Sequence, residues 1–203
     1  MFTKLALTAL TTATLVAGNA RADEWTIDPS HSAAQFSIKH MMVSTVRGNF
    51  QKVSGTVNLD ESDLTKSSVE VTIDPTSIDT GEPKRDAHLK SPDFFDVAKY
   101  PTLSFKSTRI EKAGKGKFKV TGDLTMHGQT HPVTLVIDGP TAPVKTPWGG
   151  LTRGVSATGK LNRKDWGLNW NKAIEMGGVV VGDEVQLQID AEMSPKQVKQ
   201  AQK

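Results

Sequence analysis

The chain has 203 residues, with 25 Lys or Arg against 22 Asp or Glu, a formal charge of +3, 5 His and 0 Cys. That near balance lacks the concentrated basic footprint a nucleic-acid partner requires. Without cysteine there are no disulfides, so the fold must be held by its core alone.

The first element is the segment 1–22. Lys4 gives a short positive start, Leu5 to Ala17 is apolar or small with threonines but no charge, and Ala20-Arg21-Ala22 is a small-x-small cleavage site. The pattern is that of a secretory signal peptide, too short for a membrane span. It predicts a mature chain starting at Asp23 and exported to a bacterial periplasm. Losing Lys4 and Arg21 leaves 23 basic and 22 acidic residues. No other stretch approaches the roughly 18 apolar residues of a spanning helix, so no stable membrane insertion is expected. Residues 23–193 are read as one domain with a single core.

Period-2 alternation then predicts strands with one apolar face. The runs are Ala34, Phe36, Ile38 and His40; Val69, Val71 and Ile73; Leu103, Phe105 and Ser107; Phe118 through Met126; and Val185 through Met193. From Val46 to Leu59 the apolar parity changes between Phe50 and Val53, which predicts a bulge or bend. Val133 to Ile137 is a further strand, entered through the His127–Thr130 turn. The run from Val155 to Arg163 puts Val155, Ala157, Gly159, Leu161 and Arg163 on one face, where small residues leave room for a curved wall or cavity. Lys112, Lys115, Lys117 and Lys119 surround Gly114 and Gly116 and read as a solvated hairpin tip. These eight strands, without long helical periodicity between them, predict an all-β antiparallel sandwich or closed barrel. An eight-stranded barrel is wide enough for one small elongated ligand. The stretch 194–203 reads as a polar tail, frayed or a short surface helix.

The alternation stops from Thr80 to Pro101, which reads as a short helical insertion near residues 82–98. Pro83 suits the first helical position after Glu82, and Ser91-Pro92 repeats that start signal. Arg85, His88 and Leu89 share one helical face, while Asp86 and Lys90 are spaced to pair on another. Phe94 and Phe95 supply apolar mass that must be buried.

Several ordered motifs resemble the YceI-like family of periplasmic lipid-binding proteins. They are Trp25-Thr26-Ile27-Asp28-Pro29-Ser30-His31-Ser32, Phe36 to His40, and Val46-Arg47-Gly48-Asn49-Phe50. Then come Ser77 to Gly81, Arg85-Asp86-Ala87-His88-Leu89, Asp93-Phe94-Phe95-Asp96, Gly122 to Gly128, Asn162 to Gly167, and Val181 to Val185. The resemblance implies a lipocalin-like antiparallel β-barrel with a long apolar cavity, and ligands such as polyprenyl phosphates, isoprenoid quinones or fatty amides. It also implies proteins that are often homodimers. Trp166 stands where the family more often has Phe, and a larger ring there is expected to shorten or reshape the cavity.

A lipid carrier needs a dry tunnel, since burial contributes about 0.8 kcal/mol per methylene. The candidate wall residues are Phe36, Ile38, Phe50, Val71, Phe94, Phe95, Leu103, Phe105, Leu124 and Leu187, all of which would equally suit a plain β core. Arg85 and His88 are candidates for a polar mouth, Arg because its forked donors suit phosphate. His31 and His40 are further candidates. The alternative for Arg85 is a salt bridge with Asp86 that fastens the insertion. No cofactor other than the bound lipid is expected, and no metal. His127 and His131 lack a third ligand. Asp86, His88 and Ser91 lie too close together along short turns to give a hydrolytic triad by themselves, and no GxSxG elbow is present. A packed barrel acting as a structural or interaction module is the remaining alternative.

Overall fold

The computed structural model describes residues 23–174 and 177–196. The predicted leader, 1–22, and most of the predicted tail, 197–203, lie outside the described residues. In chain order the strands are β1 (Asp23–Ile27), β2 (Ala33–His40), β3 (Ser44–Phe50), β4 (Val53–Leu59), β5 (Ser68–Ile73) and β6 (Ile78–Asp79). The helix α1 (Pro83–Lys90) follows. Then come β7 (Leu103–Gly114), β8 (Lys117–Met126), β9 (Gln129–Asp138), β10 (Val144–Lys145), β11 (Leu151–Asn162) and β12 (Val181–Pro195). No helix among the described residues is long and apolar enough to cross a membrane.

Eight strands close an antiparallel barrel in the order β11-β9-β8-β7-β5-β4-β1-β12, with β12 pairing back to β11. Closure leaves the ring no open edge. β12 makes it possible because it is long. One edge pairs with β11 from Glu184 to Met193, while the other takes β2 from Val181 to Asp190 and then β1 from Met193 to Pro195. Its last pairs, Ser194 with Thr26 and Pro195 with Trp25, carry the strand two residues into the stretch read as tail. The parity change near Phe50 is a break at Gln51 and Lys52 that divides β3 from β4. β1 is a strand the periodicity did not single out, since Trp25 and Ile27 are its only apolar residues.

The β2–β3 hairpin continues the wall beside β12, and α1 follows β6, which pairs with the end of β3. Glu82 caps α1 by accepting from the Lys84 N–H, and Pro83 occupies its first turn. The second start signal, Ser91-Pro92, begins no helix. The chain instead turns back, with the Phe95 and Val97 N–H groups donating to the Leu89 and Lys90 carbonyls and Asp96 at φ 45°. Phe94 is thereby buried with Ile78, Leu103, Met126, Trp166 and Leu168, with Phe95 packed against them. At the far end Trp25, Leu59 and Met193 form a second buried cluster. The lysine-rich segment is the β7–β8 hairpin tip, where Gly114 pairs with Lys117 and Lys117 reaches Asp138.

Candidate functional site

Between the two clusters the barrel encloses a cavity of about 1010 Å³. Its wall is the inward face of the alternating strands. Phe36, Ile38, Phe50, Val71, Phe94, Phe95, Leu103, Phe105, Leu124 and Leu187 all border it. So do Leu135, Ile137, Ile189 and Val155 from the same period-2 runs. The room expected from Gly159 is used differently. A Cβ there would meet Leu135 Cδ2 at 2.6 Å, so Leu135 fills that space and Ala157 supplies the thin part of the wall.

The charged and titratable lining residues are Lys39, His40, Glu82, Lys84, Arg85, His88 and Arg163. All come from the end of β2, from α1 and its cap, or from the turn just after β11, so the polar mouth lies between the β2–β3 hairpin and α1. His31 is elsewhere, on the exposed surface, its Nδ1 2.8 Å from an Asp28 carboxylate oxygen. That bond and the Asp28 charge raise the His31 pKa, and the same bond, with the Ser30 N–H, lowers that of Asp28.

Arg85 and Asp86 do not pair with each other, and Asp86 does not pair with Lys90; both acid and base hold Thr80. Arg85 Nε donates to Thr80 Oγ1 and Nη2 to the Thr80 carbonyl, each at 2.8 Å. The Thr80 N–H and hydroxyl both donate to Asp86 Oδ1. This clasp ties the first turns of α1 to the end of β6. His88 Nε2 lies 2.8 Å from Asp93 Oδ2, and its ring meets Phe94 and Trp170 edge-on at 5.0 and 4.9 Å. Trp170 also lines the cavity. It lies in the irregular segment before β12, where no periodicity marks it.

Arg163 explains that segment. Its side chain is buried and donates to the carbonyls of Gly182, Leu168, Trp170 and Val181 and to the Asp183 carboxylate. Burial lowers its pKa and Asp183 opposes the shift. One guanidinium thus satisfies backbone acceptors that would otherwise be stranded at the mouth. Trp166, expected to reshape the cavity, is not on its wall. It is 1 % exposed, donates Nε1–H to the Leu124 carbonyl at 2.9 Å and packs on His131, outside the lining.

At the rim, the β2–β3 turn is closed by a hydrogen bond from the Val43 N–H to the His40 carbonyl. Met41 and Met42 sit in it at φ 49° and 62°. Left-handed backbone costs an ordinary side chain about 1 kcal/mol per residue, and Asn-Gly is the usual choice.

The histidine-based alternatives have other geometry. His127 bonds the Trp166 carbonyl and packs on Tyr100. Asp28, His31 and Glu192 have ligand atoms within 4.8 Å of one another, but on open surface and without a fourth donor among the described residues. Ser91 Oγ donates to the His88 carbonyl, so Asp86, His88 and Ser91 form no relay.

A model of the YceI-like domain matches residues 25–193. A UPF0312 protein of Vibrio cholerae is 38% identical over 151 residues, 73% of this chain and 79% of the relative. The crystal structure of the Campylobacter jejuni YceI protein superposes with a TM-score of 0.66 at 31% identity, covering 79% of this chain and 91% of that one. A polyisoprenoid binding domain from Saccharophagus degradans, implicated in plant cell wall breakdown, superposes at 0.61 with 15% identity, over 84% and 98%. That last likeness is one of fold.

Proposed function

We propose that this chain, which belongs to the YceI-like domain family, is a non-catalytic binding protein for a long-chain isoprenoid lipid or similar amphiphile. A polyprenyl phosphate or an isoprenoid quinone suits the site, and the periplasm is its place of work. The observation that carries this reading is the cavity of about 1010 Å³ with an almost wholly aliphatic and aromatic wall. Ordinary ligand sites run to roughly 300–1,000 Å³. A barrel filled by its own side chains would leave no such volume. Burying about ten methylenes contributes about 8 kcal/mol before the costs of association, enough for a lipid to be held without a strong polar anchor.

The polar mouth suits the other end of such a ligand. Arg85 keeps Nη1 outside the Thr80 clasp, and Lys39 and Lys84 stand nearby, so a phosphate or carbonyl has donors there. The Saccharophagus degradans neighbour is a polyisoprenoid binding domain, in keeping with this class of ligand.

The test is organic extraction of protein purified from its own host, followed by mass spectrometry. A near-stoichiometric isoprenoid or comparable long-chain lipid is expected. Protein that comes out of the cell empty, and takes up no polyprenol or quinone when offered, would overturn the reading.

A further inference from the structure

The β2–β3 tip holds apolar side chains in solvent at the cavity mouth, with Met42 70% and Val43 84% exposed. It does so in a turn whose left-handed residues are both methionine, where Asn-Gly would relieve the strain and the exposure together. The tip is fixed to the segment that leads into β12, the strand beside β2. The Met41 N–H donates to the Val180 carbonyl at 2.8 Å, and the neighbouring Val179 is exposed as well. Lys39 and Lys172 adjoin this apolar rim, Lys84 lines the mouth from α1, and all three are exposed. Among the described residues, the ion pairs around the mouth, His88 with Asp93 and both Arg163 and Lys164 with Asp183, use none of the three. Glu82, the acidic residue of the cavity lining, is turned to the Lys84 N–H as the α1 cap.

We propose that this rim docks the protein, mouth first, on an anionic lipid bilayer. Met41, Met42 and Val43 enter the boundary between headgroups and acyl chains, and the lysines meet lipid phosphates. The inference rests on the reading of the cavity as a lipid site. The hairpin leads from this rim past the His40–Ser44 pair to the wall at Ile38 and Val46, so a chain leaving the bilayer enters the barrel beside the polar groups of the mouth. Charge selects the surface: exposed lysines beside exposed methionines fit an anionic membrane.

The test is sedimentation of the purified protein with phosphatidylglycerol–phosphatidylcholine vesicles and with phosphatidylcholine alone. Wild type should partition to the anionic vesicles and be released by salt. Met42→Asp with Val43→Asp should lower that partition at least tenfold. Met41→Asn with Met42→Gly should lower it as far while raising thermal stability, which separates lost docking from lost folding. Trp148→Ser is the control, since Trp148 is 89 % exposed on the β10–β11 hairpin, away from the mouth. Equal partition of wild type and the tip variants would overturn the proposal, as would loss of binding with Trp148→Ser. A wild type that ignores vesicles but dimerises through the tip, read by light scattering, would overturn it too. Lipid content of the same samples is read separately. Wild type that holds lipid yet does not partition sinks the docking alone, and wild type that partitions yet never holds lipid sinks the cavity reading.

Discussion

Gly122 on β8 is the space into which the Phe105 ring of β7 lies: a Cβ on Gly122 would stand 2.4 Å from Phe105 Cζ and 2.5 Å from the Lys106 carbonyl oxygen. Phe105 borders the cavity, so this pair sets how flat the ring rests on the wall and how much of the interior stays free. Gly122→Ala is expected to cost about 1–3 kcal/mol, as overpacking does. Urea unfolding should show a lower midpoint at an unchanged slope. An unchanged midpoint would mean that ring and carbonyl yield freely.

Arg163 satisfies carbonyls on both sides of the segment 168–182. Arg163→Met keeps an apolar stem and removes every donor, leaving those carbonyls and Asp183 without it. The expected loss is about 3 kcal/mol or more, because unsatisfied buried acceptors add to the lost bonds. Amide exchange at Val181, whose N–H is held by Asn171, should quicken before that of the β7–β8 core. Uniform exchange change across the barrel would contradict this division.

Thr80 is gripped by Arg85 and Asp86 at once. Thr80→Val keeps the shape and removes the hydroxyl. A loss of about 1–2 kcal/mol is expected, with faster exchange in α1. If α1 exchanges as in wild type, Phe94 and Leu89 packing alone holds the helix.

The His31–Asp28 pair has a defined pH window. His31 is raised above its ordinary 6.5, chiefly by the hydrogen bond to Asp28, and Asp28 is lowered below its ordinary 3.8 by the same bond. A raised histidine stabilises below its unfolded value and loses that as pH climbs through the raised one. A lowered aspartate stabilises above its unfolded value and loses that as pH falls through the lowered one. The pair is therefore whole between about pH 4 and pH 6.5. In an NMR titration the His31 ring should have its midpoint above 6.5, and Asp28→Asn should bring it down, the Glu192 charge remaining. A midpoint at 6.5 in wild type would remove the interaction.

Much of the barrel was legible because alternation reports burial directly. Phe36 with Ile38, and Leu103 with Phe105, face inward as their period requires, and the parity change after Phe50 located the break between β3 and β4. β1 stayed hidden because two apolar residues make no run. At the site the limits were tertiary. Arg163 looked like the last inward residue of a strand, and nothing local says that four carbonyls from residues 168–182 surround it. Trp166 invited a cavity role by size, but its Nε1–H goes to the Leu124 carbonyl behind the wall. Arg85 and Asp86, adjacent and opposite in charge, suggested a mutual pair. The helix turns them to a common third residue, Thr80. His31 carried the opening motif but lies on the surface with Asp28.

If the free interior is the lipid site, filling it must displace the lipid. Ala157 is buried and borders the cavity midway along β11, and Ala157→Phe directs a ring into the open volume. Lipid recovered per protein by extraction and mass spectrometry is the measurement, made on wild type and variant with unfolding midpoints checked alongside. Near-stoichiometric lipid is expected from wild type, and a several-fold lower yield, or a shorter chain, from a folded Ala157→Phe. Equal yield and chain length from both would place the lipid outside the barrel.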